Sequence, residues 1–166
     1  MRLKENIDLN KINTVIDYGG DEGQYIPRNI TASRRIIFDP SNKIIPHEFE
    51  KINKFENLPL ADLVMCCHTL EHVSYPQDLL KKLTHLLSDK SYIYIELPLE
   101  VQNIFPLSPN EIPRQIHEHI NTFTTRSLTS MINAVGLKII TIYETHMLSE
   151  VPGNHRILSA LCTNSL

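Results

Sequence analysis

Short apolar runs cut by glycine or proline alternate along this chain with segments of helical spacing. Thr14-Val-Ile-Asp17 runs into glycines and reads as a buried strand. Arg35-Ile-Ile-Phe-Asp39, stopped by Pro40, is a second. Asp62-Leu-Val-Met-Cys-Cys67 is another, and Ser91-Tyr-Ile-Tyr-Ile-Glu96 follows, stopped by Pro98. These runs are apolar on both faces, as parallel strands are when helices cover each side.

A helix is predicted from Pro76, a residue that suits the first helical position, with Leu79, Leu80, Leu83, Leu86 and Leu87 on one face. A second is predicted behind a Thr124/Thr125 cap, with Leu128, Met131, Ile132 and Val135 at i, i+3, i+4, i+7 and Gly136 as its stop. The β-branched-rich runs 137–143 and 156–162 predict an antiparallel pair closing the sheet's edge. A complete alternation also requires a strand and a helix within residues 43–59, where Ile44-Ile45 and residues 49–55 are the candidates. The first thirteen residues leave room for a short helix at most. Alternating βαβ units imply a doubly wound sheet. Such sheets bind ligands beyond the carboxyl ends of their strands. That rule points to residues 19–23, Asp39, residues 68–72 and residues 96–98.

Composition narrows the classes. The 166 residues suit one domain over residues 1–166. A net charge of −3 and no basic stripe argue against nucleic acid as a partner. No apolar run approaches the roughly 20 residues that span a membrane, and the N-terminus lacks a secretory signal's apolar region. Three cysteines make no disulfide framework and fit a reducing cytoplasm. Pro98, Pro106, Pro109 and Pro113 crowd one stretch, so residues 98–123 read as a long loop covering a substrate.

The first loop, Asp17-Tyr-Gly-Gly-Asp-Glu-Gly23, does not fit the dinucleotide spacing G-x-G-x-x-G, because Asp21 and Gln24 stand where glycines are needed. A pyrophosphate there would face Asp17, Asp21 and Glu22, with no Lys or Arg to offset them. A cationic ligand would be welcome. At this point the chain resembles the class I S-adenosylmethionine-dependent methyltransferases, whose first motif is D-x-G-x-G-x-G. Asp17, Gly19 and Gly23 match it, and Asp21 replaces the middle glycine. S-adenosylmethionine carries a positive sulfonium and an amino group and has no phosphates. Asp39 ends the second strand, where an acid accepts hydrogen bonds from ribose hydroxyls. Its other reading is the start of an Asp-Pro turn.

Residues 61–98 carry the resemblance furthest. They are similar to the methyltransferase stretch in which a "fDlV" strand leads to "hvLEHv", a helix and a last strand ending "iE-P", with Lys90-Ser91 replacing the usual glycine. The resemblance implies cofactor contacts from Asp17, Gly19, Gly20, Asp21, Gly23, Asp39, Pro40, His68 and Leu70. His68-x-x-Glu71-His72 is formally the H-x-x-E-H pattern of some zinc peptidases, which needs one continuous helix. Some quinone-pathway methyltransferases hold a divalent ion with a Glu-x-x-Glu-His set here. His68, Glu71 and His72 are therefore the metal candidates, but their expected role is as hydrogen-bonded turn residues, with no metal. Residues 115–128 are similar to the family's "H…Ft..sL" segment, which roofs the substrate site. His119 and His117 become candidate bases, assisted by Glu118; capping the next helix is the competing role for His119.

The expected fold is α/β: Rossmann-like, doubly wound, a mostly parallel seven-stranded sheet with an antiparallel C-terminal strand. The expected function is S-adenosylmethionine-dependent methylation of a small molecule in the cytoplasm. By resemblance the acceptor atom is oxygen, in a sugar of a surface polysaccharide or in a secondary metabolite. The acceptor pocket falls to the 98–123 loop or to the partner subunit of a homodimer. A non-catalytic binding module for the same cofactor and a metal-dependent hydrolase built on His68, Glu71 and His72 are the competing classes.

Overall fold

The structure, a computed structural model, describes residues 3–41, 43–99, 119–147 and 155–164. Seven strands form one sheet: β1 (Thr14–Tyr18), β2 (Arg34–Phe38), β3 (Glu50–Ile52), β4 (Ala61–Cys67), β5 (Leu87–Pro98), β6 (Leu137–Met147) and β7 (His155–Asn164). Their order is β3-β2-β1-β4-β5-β7-β6. Strands β1 to β5 pair in parallel, and β7 runs antiparallel to both neighbours. The expected α/β class and antiparallel C-terminal strand are both present. No helix among the described residues is long and apolar enough to cross a membrane.

Among the described residues two α-helices, α1 (Pro76–Thr84) and α2 (Thr125–Ala134), pack on one face of the sheet. Pro76 opens α1 because its missing N–H would be unpaired there anyway. Thr124 caps α2 by accepting the Ser127 N–H, and Ser127 returns a bond to the Thr124 N–H. Leu80, Leu83, Leu128 and Ile132 are fully buried against Ile16, Val64, Ile93 and Ile95. Full burial of one such side chain contributes about 1.5–3 kcal/mol. Leu87, predicted on the α1 face, instead starts β5, because the helix ends at Thr84.

The other face differs from the expected second helical layer. Val15, Leu63, Met65, Tyr94 and Leu161 are covered there by Leu3, Ile7, Leu9, Ile12, Ile26 and Ile30. The cover consists of two 3-10 turns, Leu3–Glu5 and Leu9–Lys11, and a run of turns over residues 20–33. Ile26 and Ile30 have helical spacing, but Pro27 lies between them and the loop's glycines precede them, so the segment buries the two isoleucines without a helix. Residues 43–59 hold the expected strand as β3 but only a 3-10 turn, Phe55–Asn57, for the expected helix; Ile44 is 95% exposed.

Lys90 takes the place of the family's glycine with a left-handed φ of 57°. Pairing jumps there from Ala61↔Leu87 to Leu63↔Tyr92, so residues 88–91 bulge from the sheet. Of the predicted covering loop 98–123, residues 100–118 lie outside the described residues.

Candidate functional site

The carboxyl ends of β1, β2, β4 and β5 converge as the topology requires. Asp17, in β1, is fully buried, and neither carboxylate oxygen has a hydrogen-bond partner among the described residues. Burial alone pushes its pKa from 3.8 up to about 7. Gly20 lies against this side chain: a Cβ there would come within 2.5 Å of Asp17 Oδ2. Gly19, at φ 76°, donates its N–H to the Phe38 carbonyl at 2.8 Å, and a Cβ on it would meet Thr69 Oγ1 at 2.5 Å. The Thr69 hydroxyl in turn donates to the Tyr18 carbonyl at 3.2 Å, pinning the loop after β4 to the loop after β1. Gly23, at φ 79°, sits where a Cβ would press on Ile37 and Phe49.

Asp21 adopts φ 47°, the left-handed conformation of the glycine it replaces. Its carboxylate pairs with Lys43 Nζ at 2.6 Å. The loop's acids are thus partly offset, contrary to the reading of the sequence alone, by a cation from the 43–59 segment. Asp39 follows β2 and accepts the Ser41 N–H at 2.7 Å, the turn that Pro40 begins. Partial burial works against its charge, but the Ser41 hydrogen bonds and nearby Lys51 outweigh it and hold the carboxyl below its usual range. Asp39 is therefore a permanent anion at the end of β2.

Beyond β4, His68 turns left-handed at φ 51° and donates its N–H to the Glu96 carbonyl. Its ring bridges two acids: Nδ1 lies 3.5 Å from Glu71 Oε1, and Nε2 lies 3.5 Å from Glu96 Oε1. Burial opposes its protonation, but the two carboxylates outweigh it and raise its pKa to about 9. Tyr94 donates its hydroxyl to Glu96 at 2.6 Å and lies 3.1 Å from Ser159 Oγ of β7. Tyr25 stands over the His68 ring with centroids 5.4 Å apart. The H-x-x-E-H reading fails on the backbone. A left-handed His68 followed by a three-residue 3-10 turn, Leu70–His72, cannot place His68 and His72 on one helical face. The Leu70 side chain is fully buried in the core, so only its backbone is available to a cofactor.

The segment starting at His119 docks on that turn. Ile120 and Asn121 donate their N–H groups to the Glu71 carbonyl at 2.9 and 3.1 Å, and the Asn121 amide donates to Leu70 and Val73 carbonyls. His119 thereby meets the His72 ring edge-on at 4.8 Å between centroids. Glu71, 1% exposed, points its carboxylate toward both His68 and His72, with no hydrogen bond to it among the described residues. His117 and Glu118 lie outside the described residues. A cleft of about 730 Å³, lined by Tyr75, Asn121, Thr122, Phe123, Ser127 and Met131, adjoins this segment between the starts of α1 and α2.

The sequence places Glu96 among the strand-end positions that face a ligand, but Tyr25, Lys43 and Asn121 carry no such signal.

A phosphate-bearing cofactor would meet the anions at Asp39 and Glu22. S-adenosylmethionine fits the same residues. A buried carboxylate without a partner costs energy that a cationic group at the loop offsets, and Asp39 presents a charged acceptor at the end of the next strand. Strand order and loop chemistry together define the Rossmann-like, S-adenosylmethionine-dependent methyltransferase class. A family model described as a methyltransferase domain matches residues 2–142, and the chain belongs to that family. Solved structures share the fold at low identity. A Listeria monocytogenes protein assigned as an S-adenosylmethionine-dependent methyltransferase is 14% identical with a TM-score of 0.72, over 99% of this chain and 97% of that one. A methyltransferase of the same dependence from Archaeoglobus fulgidus is 16% identical with a TM-score of 0.65, over 97% and 90%. The plantazolicin methyltransferase BamL, solved with a triazolic desmethylPZN analog and SAH, is 15% identical with a TM-score of 0.64, over 99% and 80%. A search of curated protein sequences returns no significant match.

Proposed function

We propose that this chain methylates an oxygen of a small-molecule acceptor, a hydroxyl of a surface-polysaccharide sugar or of a secondary metabolite. The observation that carries the acceptor side is His119. It is clamped to the turn after β4, two residues before Asn121, which lines a cleft of a size that suits a small ligand. S-adenosylmethionine supplies a methyl carbon already activated by its sulfonium. Asp17 and the glycine loop bind the cationic end of that cofactor, and Asp39 orients its hydroxyls. Alignment of acceptor and methyl carries most of the rate in such a displacement. His119, as general base, receives the acceptor's proton. A second copy of the chain would complete the cleft in a homodimer.

The reading is tested by melting the protein with S-adenosylhomocysteine. At a hundredfold excess over Kd it should stabilise the fold by about 2.7 kcal/mol. No shift would overturn the assignment. A shift without turnover on any hydroxylated acceptor would favour the non-catalytic binding module. His119→Ala should abolish turnover while the shift persists; turnover retained in that variant removes the base role.

A further inference from the structure

We infer that Glu71, His72 and His119 form a binding site for a divalent transition-metal ion. One ligand atom from each lies within 4.8 Å of the others. Metal bonds of about 2.0–2.2 Å place tetrahedral ligand atoms about 3.3–3.6 Å apart, so modest side-chain rotations close the set. Glu71 is the fixed member, 1% exposed, with no hydrogen bond to either carboxylate oxygen among the described residues and with Oε1 3.5 Å from His68 Nδ1 and 4.0 Å from His72 Nε2. His72 is 37% exposed at its side chain and has room to turn. The backbone holds the three in register: the Glu71 carbonyl accepts two N–H groups from residues directly after His119, and Asn121 ties that segment to Leu70 and Val73.

The ligand set differs from the one the motif suggests. His68 turns both ring nitrogens toward carboxylates, Glu71 and Glu96, and so belongs to the neighbouring ion-pair chain. The third ligand comes instead from His119, brought in across the fold. Two imidazoles and one carboxylate favour zinc, cobalt or nickel over magnesium, calcium or manganese, which prefer oxygen donors. Three protein ligands leave a position open to water or an acceptor hydroxyl. With the metal bound His119 is a ligand and not a base, so the turnover test of His119→Ala as base applies to EDTA-treated protein. The inference stands on the side-chain geometry and does not require the acceptor reading.

The experiment is titration of tag-free, EDTA-treated protein with cobalt(II), followed by its visible absorption, with zinc as competitor. One equivalent of cobalt should give intense ligand-field bands that zinc abolishes. His72→Ala and His119→Ala should each weaken binding at least about tenfold, as loss of even outer-shell partners does. His68→Asn, which suits the left-handed backbone, should still bind. Should an alanine variant fail to fold, His119→Gln replaces it. Absence of cobalt bands overturns the site, as does a pattern in which His68→Asn abolishes binding and His119→Ala does not. Melting with S-adenosylhomocysteine on the same samples keeps the outcomes apart: a shift without cobalt bands removes the metal site and leaves the methyltransferase reading standing.

Discussion

Gly20 and Asp17 are in such close contact that no side chain fits between them, since a Cβ on Gly20 would lie within 2.5 Å of the Asp17 carboxylate oxygen. The glycine is required by the acid rather than by its own backbone angle. Gly20→Ala should therefore displace the Asp17 side chain and destabilise the fold by about 1–3 kcal/mol, the cost of overpacking. It should also abolish the melting shift with S-adenosylhomocysteine. A variant that melts as the parent does and still shifts would show that Asp17 does not serve the cofactor.

Asp17 itself should trade stability for binding. Its pKa rises from 3.8 to about 7 on folding because burial disfavours the charge. The neutral acid is the stable folded form, so its contribution is fully present below pH 3.8 and is lost as pH rises to about 7. Asp17→Asn should consequently melt higher than the parent at pH 8, by several degrees, with the difference vanishing at pH 4. The same substitution should weaken S-adenosylhomocysteine binding at pH 8. A constant difference in melting temperature across this range would show that Asp17 is not the buried acid described.

Asp21 stands where the family has a glycine, and the backbone keeps the glycine's conformation. Asp21→Gly should leave cofactor binding essentially unchanged, since glycine keeps the left-handed backbone and the lost Lys43 pair is solvent-exposed and screened. Asp21→Val should destabilise by about 1–2 kcal/mol, the cost of forcing a branched residue left-handed. Parallel melts of the two variants decide the matter, and equal melting would refute a left-handed Asp21.

His68 faces Glu71 and Glu96, with Tyr25 over its ring. Burial resists its charge and the two carboxylates overcome that resistance, raising its pKa to about 9 from 6.5. In metal-free protein its stabilisation is complete below pH 6.5 and fades as pH rises through about 9. Imidazole NMR should find His68 protonated at pH 8. A midpoint near 6.5 would sink the bridging role.

The strands were legible because each is a short apolar run with a stop at its end, and the strand termini then located the site. The two departures from family glycines were legible too: Asp21 and Lys90 both carry positive φ, so the backbone, not the residue type, is what the pattern encodes. The layer over residues 20–33 was not legible, because Pro27 and three loop glycines break the periodicity that its buried isoleucines suggest. Nor was the meeting of His119 with Glu71 and His72. Residue spacing cannot reveal a contact that depends on backbone carbonyls of one turn accepting the N–H groups of another.

The position of β7 sets the order in which these groups come together. This strand, the last in the described chain, is inserted between β5 and β6. Its Ser159 contacts Tyr94, which donates to Glu96, which faces His68. During synthesis the helices and the parallel strands can collapse early, but the sheet stays in two parts until residues 155–164 have emerged. The polar chain beneath the site therefore gains its Ser159 end only when β7 enters the sheet, whereas the glycine turn and the His68 pairs with Glu71 and Glu96 need only elements that precede it.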